Sequence, residues 1–94
     1  MIDEKILSDF CRQLTGYFGD GKDLESLALL KKDVSEYSET ARIFREGLDA
    51  ILADPKFECL PFVQQCANRH MNDSETEARA WLARLHHDLF AGIR

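Results

Sequence analysis

The chain has 94 residues, 45 % of them apolar and 31 % charged, with 17 acids against 12 bases and a net charge of −5 at pH 7. That length closes around one core, so we expect a single domain spanning 1–94, stable by about 5 to 14 kcal/mol without cross-links. An acidic surface repels phosphate backbones and disfavours direct nucleic-acid binding, and no apolar run approaches the roughly 18 residues of a membrane span.

Ile6, Leu7, Phe10, Cys11, Leu14 and Phe18 recur at three- to four-residue spacing, which predicts a helix over about 3–18. Gly16, Gly19 and Gly21 break the pattern, with Gly19 or Gly21 free to take positive φ and Asp23 capping the next helix. Leu24, Leu27, Ala28, Leu30 and Val34 make a second stripe, and Ser35 to Ser38 supply a turn and the following N-cap. Ala41, Phe44, Leu48, Ile51 and Leu52 mark a third helix that stops at Asp54-Pro55, because the residue before proline avoids the helical region.

A fourth helix is expected to open with Pro61 in its first turn and to bury Phe62, Val63, Cys66 and Ala67, with Asn68 to Asp73 closing it. Ser74 to Glu77 has the Ser-x-x-Glu spacing of a capping box. The last helix follows with Ala78, Trp81, Leu82, Leu85 and Leu89 on its apolar stripe and Ile93 near its end; Arg79, Arg84 and Asp88 lie on its polar face. No segment sustains a period-two alternation of β-branched residues. The expected fold is therefore all-α, a single-domain antiparallel bundle of about five helices.

Motifs for chemistry are weak. "GYFGDGKD" lacks the order of a phosphate-binding loop, and Asp20-Gly21-Lys22-Asp23 lacks the alternating oxygen ligands of a calcium loop. Cys59, Cys66 and His70 lack a fourth metal ligand, and Cys59 is expected to lie off the fourth helix. His86 and His87 are adjacent and point about 100° apart on a helix, so they do not chelate; one is expected to pack against a neighbour. No nucleophile signature is present. We expect no catalytic residues, no cofactor and no metal. Three cysteines are an odd number with no targeting sequence ahead of them, so we expect them reduced and the protein cytoplasmic.

Charge is uneven: residues 1–60 hold 13 acids against 8 bases, whereas residues 61–94 hold 4 of each. Such an acidic first part favours a basic protein partner. In "LTGYFGDGKDLES", "GLDAILADP" and "EARAWLARLHHDL", the chain resembles the helical immunity proteins of bacterial contact-dependent growth inhibition systems. Leu14, Tyr17, Phe18 and Asp20 match the end of that family's first helix and the loop after it. Leu48 to Leu52 match its leucine-rich helix, and Trp81, Leu82 and Leu85 its terminal one.

The resemblance implies a cytosolic antidote that binds and blocks the C-terminal domain of a cognate toxin as a one-to-one heterodimer. Such toxins are frequently nucleases, and a basic ribonuclease is the expected partner. An acidic inhibitor fits the cationic cleft of such an enzyme. The expected toxin contacts are Asp20, Asp23 and Glu25 in the opening loop, and Asp33, Glu36, Tyr37 and Glu39 around the second turn. The rival reading is a helical adaptor without a toxin partner.

Overall fold

The computed structural model of the protein describes residues 2–19, 23–68 and 74–91. The expectations for Gly21, His70 and Ile93 lie outside the described residues. Five helices run in order: α1 Glu4–Phe18, α2 Asp23–Glu36, α3 Ser38–Ala53, α4 Cys59–Cys66 and α5 Glu75–Phe90. No strand occurs among the described residues, and none of their helices is long and apolar enough to cross a membrane. The fold is an all-α bundle in which α3 packs against α1, α2 and α5, while α4 joins through α1 and α5.

Local chemistry explains most of the boundaries. Asp3 caps α1, its carboxylate accepting the Lys5 N–H at 2.8 Å. Gly19 ends α1 in the right-handed region, φ −64°, so it does not use the positive φ open to it. Ser74 caps α5 as its spacing predicts, accepting the Glu77 N–H at 3.2 Å. α3 stops at Ala53, and Asp54 before the proline is extended, with ψ 100°.

α4 has Pro61 in its first turn, as expected, but it opens at Cys59, so Cys59 belongs to the helix and does not lie off it. The reason lies in α5. Glu58, at the N-cap of α4, makes no side-chain cap. Instead, the Glu75 carboxylate accepts the Cys59 and Leu60 N–H groups, each at 2.8 Å. A helix start in this chain is thus satisfied by a side chain from another helix, which sequence spacing does not reveal.

Partial burial opposes ionisation of Glu75, but the Leu60 and Cys59 N–H groups, together with Arg79, outweigh it and hold the carboxyl below its ordinary value of 4.5. A lowered folded-state pKa contributes stability that is complete above the unfolded value and is lost as pH falls through the folded one. Urea titrations between about pH 2 and 6 should therefore show the wild type losing stability more steeply than Glu75→Gln below about pH 4.5. Parallel losses would remove the cap from the account.

The core is built around Phe10, Leu14, Leu30, Phe44, Leu48, Ile51, Val63 and Leu82, all fully buried. Phe10 stands edge-on to Phe44 with ring centroids 5.3 Å apart and leans on Phe62 at 5.6 Å. Trp81 is only partly buried, edge-on to Phe18 at 5.4 Å.

The cysteines contradict the reduced state expected for all three. Cys11 on α1 and Cys66 at the end of α4 form a disulfide across Cα atoms 5.0 Å apart. The odd count concealed one pair, because these two stripe positions meet where α1 packs on α4. Cys59 is free and buried. Burial, reinforced by the charge of Glu75 and opposed by Arg79, pushes its thiol up to about 11, so it remains a protonated core filler.

Candidate interaction surface

α2 carries apolar residues all round. Leu30 and Val34 face the core and Leu27 is half-buried, as the stripe predicts. Leu24 and Ala28 do not follow it: Leu24 is 85 % exposed and Ala28 is exposed, while Ser26, absent from the stripe, is buried. At about 100° per residue, Leu24 lies about 120° round the helix from Leu30, towards the far edge of the stripe, and the buried arc extends the other way to Ser26. Leu29 is also outward, 52 % exposed. It shares an outward row with Glu25, Lys32 and Glu36, at helical spacings of four, three and four.

A single residue, Tyr37, separates α2 from α3. Its N–H donates to the Asp33 carbonyl at 2.8 Å and its carbonyl accepts the Ala41 N–H at 3.1 Å, so one residue closes α2 and opens α3. Serine was expected at this cap. The Ser35 hydroxyl instead donates to the Lys32 carbonyl at 2.8 Å, and Ser38 is already the first residue of α3. Tyr37 makes no side-chain cap and is 58 % exposed.

The junction thus breaks local rules in one place. An aromatic holds an N-cap, where short polar side chains are preferred. Asp33 and Glu36 sit in the last turn of α2, which itself holds no base, although the helix dipole favours cations there. Leu29 faces outward about two turns before the junction. Local conflicts of this kind are expected at functional or strained sites.

The seven expected contact residues divide. Asp20 lies outside the described residues, and so does the side chain of Asp23, the first residue of α2. Glu25 and Glu36 are exposed. Asp33 is half-buried and accepts the Tyr17 hydroxyl, which ties α1 to α2. Burial, then the hydrogen bond to Asp33, drives the Tyr17 phenol well above its ordinary value. Glu39 is exposed and paired with Arg42, which also reaches Glu46 at 3.2 Å; the guanidinium holds the Glu39 carboxyl below its usual range. Glu25, Glu36 and Tyr37 therefore offer the most accessible groups, with two exposed leucines as apolar companions: Leu24, which periodicity had placed on the buried stripe, and Leu29, which it had left off it.

Chemistry elsewhere is sparse. No group of three His, Cys, Asp or Glu able to hold a metal ion occurs among the described residues, and Cys66 is committed to its disulfide. His86 contacts Asp49 at 2.7 Å and stands edge-on to Phe90, while His87 is exposed. A cleft of about 240 Å³ between α1 and α3 is walled by Lys5, Asp9, Arg42 and Glu46, whose charges are already paired along their own helices. Comparison with family models, with curated proteins and with solved structures gives no match.

Replacing Tyr37 by serine tests the junction. Tyr37→Ser supplies the missing hydroxyl acceptor and is expected to stabilise the protein by about 1 kcal/mol in urea titration. A loss of stability would show that the Tyr37 ring serves the bundle, and would remove it from the surface.

Proposed function

We propose that this chain is an immunity protein that works in the cytoplasm, binding the basic catalytic domain of a nuclease-type toxin one-to-one and covering its active site. The observation that carries the reading is the outer face of α2 and its junction with α3, where Leu29 and Tyr37 stand exposed among Glu25, Glu36 and Glu39, with Leu24 exposed at the far end of the helix. Exposed aromatic and aliphatic groups supply anchors at a protein interface, and the surrounding acids complement a cleft evolved to hold phosphates. The resemblance at Leu14, Tyr17, Phe18, Leu48 to Leu52 and Trp81 points the same way. Catalysis by the chain itself is not required.

The test is to titrate a candidate toxin domain, sought in the genes that neighbour this one, with RNA cleavage as the readout. Cleavage should stop at one equivalent. Glu25→Lys combined with Glu36→Lys should slow association by at least tenfold at low salt and flatten its dependence on ionic strength. Cleavage that persists at saturating inhibitor discards the reading. An unaltered association rate moves the interface to another face.

A further inference from the structure

We propose that Cys11 and Cys66 form a reversible redox lock that sets how long the folded chain survives: closed as a disulfide in an oxidising environment, open as two thiols in a reducing one. This goes beyond the inhibitor reading and does not depend on it.

The seam that holds the pair has polar ties of its own. Cys11, Thr15 and Gly19 follow one another at four-residue intervals along one side of α1 and its end, and meet the last turn of α4. There the Thr15 hydroxyl lies between two carbonyls, 3.0 Å from that of Cys11 and 2.9 Å from that of Cys66. The Asn68 amide donates to the Gly19 carbonyl at 3.3 Å, from a left-handed backbone (φ 53°) that asparagine tolerates. None of these bonds runs through a sulfur. The core beyond the seam, with Phe10, Phe44, Leu48 and Ile51 fully buried, is expected to hold without the cross-link. The opened thiols therefore stay in register to close again.

The chemistry needs a dithiol reductant. Cys11 is half-buried whereas Cys66 is only 4 % exposed, so the entering thiolate attacks Cys11 Sγ. The S–S electron pair leaves on Cys66 Sγ, which takes a proton. The reductant's second thiolate then attacks its own sulfur in the mixed disulfide and releases the Cys11 thiolate, which is protonated in turn. Two electrons reach the cysteines, and the reductant departs as a disulfide. Cys59 stays out of the exchange because it is buried and protonated.

The cross-linked cysteines are 55 positions apart, so opening the bond should lower the folded-to-unfolded ratio by roughly a thousandfold through chain entropy. An unfolded fraction that much larger is an equally larger target for proteases.

The experiment compares the full chain, air-oxidised and dithiothreitol-reduced, by circular dichroism and by cleavage with a disulfide-free protease. Both forms should show the same helix signal without denaturant. The reduced form should be cleaved at least a hundredfold faster, and reoxidation should restore resistance. Cys11→Ala/Cys66→Ala should match the reduced form in either condition, while Cys59→Ala keeps the response. Equal cleavage of the two forms would overturn the proposal, as would loss of the helix signal on reduction, which would make the bond an obligatory staple.

Discussion

Gly47→Ala is expected to destabilise the protein by about 3 kcal/mol, although the same change in an exposed helix stabilises by roughly 0.5–1 kcal/mol. Gly47 is buried in the middle of α3, where it faces α1. A Cβ there would lie 2.5 Å from Phe10 Cγ and Cδ2 and 2.8 Å from Phe10 Cβ. Those atoms are the root of the side chain, so a small rotation of the ring does not clear the space. Phe10 is fully buried and held by Phe44 and Phe62, so relief requires α1 and α3 to separate. The thermal midpoint should fall by about 15 °C in a domain of this size. Phe10→Leu in the Gly47→Ala background should then cost much less than Phe10→Leu alone, giving a favourable coupling of at least about 1 kcal/mol in a double-mutant cycle. A Gly47→Ala protein as stable as the wild type would show that the two helices do not approach this closely.

Gly47 also shows where sequence reading stops. The spacing of Ala41, Phe44, Leu48 and Ile51 reveals the buried face of α3, because burial imposes a helical period on apolar residues. It does not reveal which turn of α3 lies closest to a neighbour. That information resides in Phe10, 37 residues away in the chain. The same limit governs α2. Leu24, Leu27, Leu30 and Val34 fit an acceptable stripe, yet tertiary packing chose an arc that includes Ser26 and left Leu24 outside.

The acids of the candidate surface were legible as residue types but not as states. Nothing local distinguishes Asp33, engaged by Tyr17, from Glu36, which faces water. The disulfide escaped for a related reason, since which two of three cysteines meet depends on how α1 lies on α4.

Arg79→Met should cost about 3 kcal/mol, a large effect for a residue that periodicity places on the polar face of the last helix. α3 ends at Ala53, and the carbonyls of its last turn and of the 54–58 connection lack the regular partners of a helix interior, although the Asp54 N–H reaches that of Ile51 and the Phe57 N–H that of Asp54. Arg79 supplies donors to three of them: Nη1 to the Ile51 carbonyl at 3.3 Å, and Nη2 to those of Asp54 and Phe57, both at 2.9 Å. Bonds from a charged donor contribute about 1.5 to 3 kcal/mol each in isolation, and three sharing one part-buried guanidinium contribute less than their sum.

Methionine keeps most of the stem's volume, so the measured loss reports the polar head. Arg79→Lys should recover less than half of it, because a single ammonium cannot span the three carbonyls as the planar fork does.

Glu75, four residues earlier on the same helix, holds the start of α4 while Arg79 holds the end of α3, so the first turns of α5 fasten both ends of the 54–58 connection. Arg79 also helps to keep Glu75 ionised. Removing it should therefore raise the pH at which acid destabilisation begins, and Glu75→Gln combined with Arg79→Met should cost less than the two changes summed. Strict additivity in urea titration would separate the two caps, and an Arg79→Met protein within about 0.5 kcal/mol of wild type would return that side chain to the solvent.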